Sequence, residues 1–155
     1  MEIERKFLIN RLPGNLSDYS SHFIEQGYLC TEPVLRIRRQ DDFYIFTYKS
    51  SGMLSHEEYN LPLTADSYEH LKKKIDGNLI SKRRYLITLD ESHTVELDVF
   101  SGIFEGLMFA EIEFSSKEEA LAFTPPDWLG SDVTFDKRYH NNYLSTLQEN
   151  DFFWK

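Results

Sequence analysis

The chain has a single cysteine, Cys30, so no disulfide can form within it and a small bridge-stapled secreted fold is excluded. It has no apolar run long enough for a bilayer-spanning helix, and its opening, Met1-Glu-Ile-Glu-Arg-Lys-Phe7, is too charged for a signal peptide. It also lacks a basic excess. The formal net charge is −9, which leaves no surplus of cations to release counterions from nucleic acid. Only 5 prolines and 7 glycines punctuate the 155 residues, with no linker, repeat or low-complexity stretch, so residues 1–155 read as one domain. These absences predict a soluble cytoplasmic protein with neither a membrane nor a nucleic-acid partner.

What the chain does have is strand-like alternation with charge on one face. In the opening segment Glu2, Glu4 and Lys6 share one face, and Ile3, Arg5 and Phe7 share the other. Leu35-Arg36-Ile37-Arg38 repeats the pattern with two guanidiniums, and Lys82 and Arg84 repeat it within Lys82-Arg83-Arg84-Tyr85-Leu86-Ile87. Val95-Glu96-Leu97-Asp98-Val99 and Ala110-Glu111-Ile112-Glu113-Phe114 do the same with carboxylates. A solvated strand face mixes Lys, Thr, Ser and Gln. Here acids and bases are sorted by strand, which points to charged faces that converge on something.

The pattern predicts strands over residues 1–8, 34–40, 43–49, 54–63, 79–89, 94–100 and 108–114, with a short extended piece at 27–30. Helices are expected over 15–26, over 64–75 behind cap-like Thr64, from Ser116, and over 135–148. The basic run Lys72-Lys73-Lys74 reads as a solvated helix end. The expected fold class is α+β, an eight-stranded antiparallel β-barrel, or tunnel, with helices packed outside. Those helices carry apolar stripes that need the outer face, so the charged faces would line the lumen. That lumen would hold Glu2, Glu4, Glu58, Glu96, Asp98, Glu111 and Glu113 against Lys6, Arg36, Arg38, Lys49, Lys82 and Arg84. Enclosed charge at this density must be paired or bound to ions. Cationic side chains suit phosphate and clustered carboxylates suit a hard divalent cation, so the cavity implies a metal–polyphosphate ligand.

At these residues the chain resembles the CYTH, or triphosphate tunnel metalloenzyme, superfamily, which includes class IV adenylyl cyclases, thiamine triphosphatases and inorganic triphosphatases. The opening matches the family's Glu-x-Glu-x-Lys signature. Leu35-Arg36-Ile37-Arg38, Tyr48-Lys49, Lys82-x-Arg84-Tyr85, Glu96-x-Asp98 and Glu111-x-Glu113 follow in order, and Asp136-Lys137-Arg138-Tyr139-His140-Asn141 looks like its C-terminal helix motif. The resemblance implies a tunnel in which Lys6, Arg36, Arg38, Lys49, Lys82, Arg84 and Arg138 hold phosphate oxygens. It implies Mg²⁺ or Mn²⁺ on Glu2, Glu4 and Glu113, with Glu58, Asp98 and Glu111 holding a second metal or orienting water. Each of these acids is equally readable as a salt-bridge partner that orients a neighbouring base. Gln26-Gly27-Tyr28-Leu29 and the short length resemble bacterial inorganic triphosphatases, which implies a catalytic dyad of Tyr28 and Lys49. His56 and Asn60 depart from the Arg and Glu that relatives often carry in this region.

The function expected is divalent-metal-dependent hydrolysis of a linear triphosphate, foremost inorganic tripolyphosphate to pyrophosphate and phosphate. The alternatives are an adenylyl cyclase, a thiamine triphosphatase using Trp128 or Trp154 for its organic cation, and a non-catalytic polyphosphate-binding module. The 5 histidines show no zinc-ligand spacing. The aromatic tail Phe152-Phe153-Trp154 reads either as a homodimer contact or as packing.

Overall fold

The computed structural model describes residues 3–51 and 57–155. Glu2, His56 and some of the strand expected over 54–63 lie outside the described residues. The chain runs β1 (Ile3–Ile9), β2 (Ser20–Thr31), β3 (Val34–Gln40), β4 (Phe43–Lys49), β5 (Glu58–Pro62), α1 (Ala65–Lys72), β6 (Asp76–Thr88) and β7 (Thr94–Ser101). It continues with β8 (Met108–Phe114), α2 (Lys117–Ala122), β9 (Leu129–Asp132) and α3 (Asn141–Leu144). All strands join one antiparallel sheet in the order β5-β4-β3-β2-β6-β7-β8-β1-β9. This corrects the expected eight strands to nine, and among the described residues no backbone ladder joins the edge strands β5 and β9 into a closed barrel. No helix among the described residues is long and apolar enough to cross a membrane.

Two helices were legible from their caps. Thr64 accepts from Ser67 N–H, while the Ser67 hydroxyl takes the Thr64 N–H, a reciprocal box that opens α1. Ser116 accepts from Glu119 N–H at the start of α2. Both helices pack on the face of the sheet opposite Lys6, Arg36 and Arg38. Tyr68 of α1 is fully buried, packs at a tilt against Tyr44 with ring centres 5.2 Å apart and donates to Glu25 Oε1 at 2.8 Å. Arg5 holds α2 by donating to the carbonyls of Ala120 and Phe123, which satisfies acceptors that the helix end leaves open.

Two elements differ from expectation. Residues 15–26 form one Asn15-capped 3₁₀ turn, Leu16–Asp18, and then the first half of β2. The spacing of Leu16, Tyr19, Phe23 and Ile24 suits a helix, but β2 pairs with β3 on one edge and β6 on the other. A strand bonded on both sides satisfies its backbone and buries Ile24, Gln26 and Tyr28, which outweighs a weak local preference. The tail 135–148 is likewise a 3₁₀ turn, Lys137–Tyr139, followed by the single short turn of α3, not one long helix. Its carbonyls bond outward: Lys6 Nζ donates to Tyr139 O, and Asn78 Nδ2 donates to Leu144 O and Leu147 O. The four-residue β9, Leu-Gly-Ser-Asp, has little strand propensity of its own and exists through its pairing with β1.

The core divides by face. Phe7, Val95, Leu97, Ala110, Ile112 and Phe114 pack with Ala120 on the α2 side. Ile80, Phe100 and Phe109 lie on the charged face, at one end of it, where they meet Phe104, Tyr139, Leu144 and Leu147. The tail therefore plugs one end of the charged face instead of covering the opposite one, which corrects the expectation that every helix packs outside. Phe152, Phe153 and Trp154 join this plug, with Phe152 and Trp154 stacked at 4.7 Å.

Gly77 adopts φ +80°, and a Cβ there would lie 2.2 Å from Ser145 O. Gly77→Ala combines backbone strain with a clash against the tail, so it should lower stability by about 2 kcal/mol or more, read as a fall in denaturation midpoint.

Candidate functional site

The charged face encloses a cavity of about 380 Å³. Its lining begins with Glu4 and Lys6 of β1, passes Tyr28 of β2 and Arg36 and Arg38 of β3, and reaches Lys49 of β4 and Glu58 of β5. Arg84 of β6, Glu96 of β7, and Glu111 and Glu113 of β8 complete it, with His140, Asn141 and Asn142 of the tail at the plugged end. Side chains from β1 and from β5 thus face one space, although these strands stand far apart in the sheet order. The sheet is curled around its charged face.

Register explains how acids and bases are sorted. Glu4 stands opposite Glu113 and Lys6 opposite Glu111 across β1 and β8, while Glu96 stands opposite Glu111 across β7 and β8. One wall is therefore a carboxylate field crossed by Lys6, which is buried, lies 3.4 Å from Glu111 Oε1 and donates to Tyr139 O at 2.9 Å. Burial raises the Glu96 carboxyl above its ordinary value; Arg84 opposes this, and Glu111, Asp98 and Glu113 add to the rise. The other wall carries Arg36 and Arg38 on β3, with Tyr28 opposite Arg36 across the β2–β3 ladder. Burial also raises the Tyr28 phenol, against the pull of both guanidiniums, so its proton stays on at neutral pH. Burial and the neighbouring cations Arg36 and Arg84 lower Arg38 to about 10. At the plugged end burial and Lys6 lower the His140 imidazole, favouring its neutral form.

Between the walls lies a buried ionic floor. Asp98 accepts two bonds from Arg84, at 2.8 and 2.9 Å, and lies 2.8 Å from Lys82 Nζ. Arg84 also reaches Glu96 at 2.9 Å. Lys82 and Asp98 are both fully buried and do not line the cavity, so Lys82 is an ion-pair member under the site and has no surface open to it. Burial presses the Lys82 ammonium down to about 8 despite the attraction of Asp98. Burial alone would raise Asp98, but Lys82 and Arg84 overcome it and hold the carboxyl at about 2.

Of the residues singled out from sequence, Lys6, Tyr28, Arg36, Arg38, Lys49, Arg84, Glu4, Glu58, Glu111 and Glu113 come together in the lining. Lys49 lies 3.9 Å from Glu58 Oε1, and its partner in the expected dyad, Tyr28, shares the same cavity. Arg138 does not join them: its side chain is half exposed and folds back onto Asp136 at 2.6 Å. Glu96 and His140, each inside a motif quoted from sequence, line the cavity, as do Asn141 and Asn142. Gln26, quoted from sequence only within a motif, and Thr47, placed by alternation on the face of Lys49, have no role in the sequence reading, yet both are fully buried against the arginines. The helical reading of residues 15–26 hid the alternation that places Gln26 on the same face as Tyr28.

Asp98→Asn would leave Lys82 buried without its counter-charge and should lower stability by about 3–5 kcal/mol. In the unsubstituted protein the folded carboxyl titrates near 2, below its ordinary 3.8. Its contribution is therefore present above pH 4 and lost as pH falls through 2. Denaturant titrations between pH 5 and 2 should show this acid loss, and the loss should shrink in Asp98→Asn.

Comparison with known proteins agrees with this geometry. The CYTH domain model matches residues 1–125. An inorganic triphosphatase of Nitrosomonas europaea is 42% identical over 147 residues, spanning 93% of this chain and 96% of the relative. An inorganic triphosphatase of Acetivibrio thermocellus is 35% identical over 148 residues, spanning 92% of each. The crystal structure of the inorganic triphosphatase NE1496 superposes with a TM-score of 0.78 at 38% identity, covering 96% of both chains. A sheet curled around sorted acids and bases, a family model over most of the chain and full-length relatives all agree: the chain belongs to the CYTH domain family.

Proposed function

We propose that this protein hydrolyses a linear triphosphate, with inorganic tripolyphosphate as the favoured substrate, and that the curled sheet works as the family's tunnel. The observation that carries this reading is the cavity itself, in which Lys6, Arg36, Arg38, Lys49 and Arg84 face carboxylates on the opposing wall. A polyanion fits the cations, and a cation bound to it fits the acids. The relatives named inorganic triphosphatases support the same substrate class. Among the described residues, Val34 and Tyr28 are the apolar and aromatic members of the lining, which otherwise consists of charged and polar side chains that suit a polyanion better than a purine or a thiamine ring.

The carboxylates Glu4, Glu96, Glu111 and Glu113 present hard oxygen donors on three adjacent strands, which fits Mg²⁺ or Mn²⁺. Among the described residues no three carboxylates converge as a ready coordination group. Mg²⁺ would keep waters and share one or two carboxylates with substrate phosphates. When bound, the ion would neutralise charge on the phosphate oxygens. Glu4 and Glu113 would be its first holders, with Glu58 and Glu111 available for a second ion or for the attacking water.

The chain's own residues do the positioning. Arg36 and Arg38 grip phosphate oxygens on one side, and Lys6 and Arg84 meet them from the acid wall. Water then attacks a terminal phosphorus: a new P–O bond forms, the bridging P–O bond breaks, and pyrophosphate leaves with the bond's electron pair. Tyr28, with its proton retained, donates to a phosphate oxygen, and the Lys49 ammonium stabilises charge on the leaving oxygen. Catalysis in this arrangement is alignment plus charge stabilisation.

Purified protein incubated with tripolyphosphate, ATP or thiamine triphosphate, in Mg²⁺, Mn²⁺ or EDTA, tests the proposal. Phosphate release from tripolyphosphate that EDTA abolishes is the expected result. Cyclic AMP formed from ATP, or binding without turnover, would overturn it. Glu4→Gln should reduce metal-dependent turnover by about 100-fold with the fold intact, measured as phosphate release beside a melting curve. Tyr28→Phe should lower kcat by about 10-fold and leave KM nearly unchanged, because only a transition-state hydrogen bond is removed.

A further inference from the structure

The cations around the cavity fall into two kinds according to what holds them. Arg84 is tied to Asp98 and Glu96, Lys82 to Asp98, and Lys6 lies beside Glu111. Arg36 and Arg38 differ. Among the described residues no carboxylate lies within ion-pair distance of either guanidinium. Arg38 Nε donates to the amide oxygen of Gln26 at 2.9 Å. Arg36 Nη2 donates to the Thr47 hydroxyl at 3.3 Å, and that hydroxyl donates onward to Asn60 Oδ1 at 2.7 Å. Both holders are neutral, and both are fully buried.

Both guanidiniums are half-buried and line the cavity, and a guanidinium drawn out of water is ordinarily matched by a carboxylate, because desolvation without a counter-charge is expensive. The burial of Arg38 next to Arg36 and Arg84 depresses its proton affinity, which registers the same electrostatic stress. A second observation points to a ligand. Among the described residues, the buried atoms Gln26 Nε2 and Arg36 Nε, one in each neutral holder pair, have no hydrogen-bond partner. Unmet donors beside cations that have no carboxylate at ion-pair distance among the described residues are the complement of an anion with many acceptor oxygens.

We propose that Gln26, Thr47 and Asn60 are positioning residues that fix Arg38 and Arg36 through neutral oxygens, so that the charge of both guanidiniums is reserved for the anionic substrate. A carboxylate in place of Gln26 would hold Arg38 in the same geometry but spend its charge. Asn60 has the same role at one remove, behind Thr47, where an acid would polarise the hydroxyl and place negative charge behind Arg36. The inference rests on the triphosphate reading above and assigns that site's affinity to the absence of charge at three named positions.

The test is equilibrium binding of inorganic tripolyphosphate in EDTA buffer, with steady-state kinetics in Mg²⁺ beside it. Gln26→Glu, nearly isosteric, should weaken binding by about tenfold or more, with the loss in KM and kcat within about threefold. Gln26→Leu, a poorer shape match that adds no charge, should weaken binding less than Gln26→Glu does. A packing role predicts the reverse order, and that order would overturn the proposal. Asn60 sits on an exposed edge strand that tolerates charge, so Asn60→Asp decides the matter if Gln26→Glu does not fold. It should weaken binding at least about threefold, and unchanged affinity would count against the proposal. If unsubstituted protein binds tripolyphosphate without hydrolysing it while the variant order holds, the hydrolase reading fails and this inference stands. Absence of binding by the unsubstituted protein overturns both.

Discussion

Asp98 has no exposed surface, yet it compensates two cations, taking two bonds from Arg84 and lying 2.8 Å from Lys82. A charged face can be enclosed only if charges of this depth are matched, because an unpaired buried ion costs several kcal/mol. Asp98 is the point where β6 and β7 are matched in charge as well as in register, with Arg84 directly opposite it. Arg84 then carries the same constraint outward to Glu96 and Glu111. The carboxylate wall of the cavity is anchored to this floor.

The opposite wall obeys a different rule. Where the floor matches every charge, β3 leaves Arg36 and Arg38 on neutral holders, and Tyr28 adds a phenol that burial keeps protonated. Under the proposed function both conditions are needed, since the substrate would supply the negative charge one wall lacks and its cation would meet the excess on the other. The apolar plug of Phe100, Phe104, Phe109 and the tail closes one end of the charged face, where water would weaken each of these interactions.

Much of this was legible before any coordinates. The two hairpin arms β3 and β4 have the bounds that alternation predicts, and the caps at Thr64 and Ser116 open helices where expected. Most of the candidate site follows from the same alternation, because a period of two assigns each charged residue to one face whatever the strand pairs with. The spacing of Leu16, Tyr19, Phe23 and Ile24 in segment 15–26 suits a helix, and only the pairing of β2 with β3 and β6 overrides it. For that reason the sequence shows Gln26 within a motif but not its place on the charged face. The tail was misread because its backbone acceptors are claimed by Lys6 and Asn78, more than sixty residues away in sequence.

Sequence alone determined which side chains share a face and that acids and bases are sorted by strand, since both follow from local geometry and from residue order. Tertiary structure alone decided how deep each charge lies. Lys82 and Arg84 occupy equivalent positions two residues apart on β6. Lys82 sits nearer the plug, with its ammonium 5.4 Å from the Phe100 ring centre and no exposed surface, whereas Arg84 lines the cavity. The difference arises because the C-terminal segment and the aromatics from β7 and β8 remove water from one end of the face and leave it at the other. No local pattern records that distance.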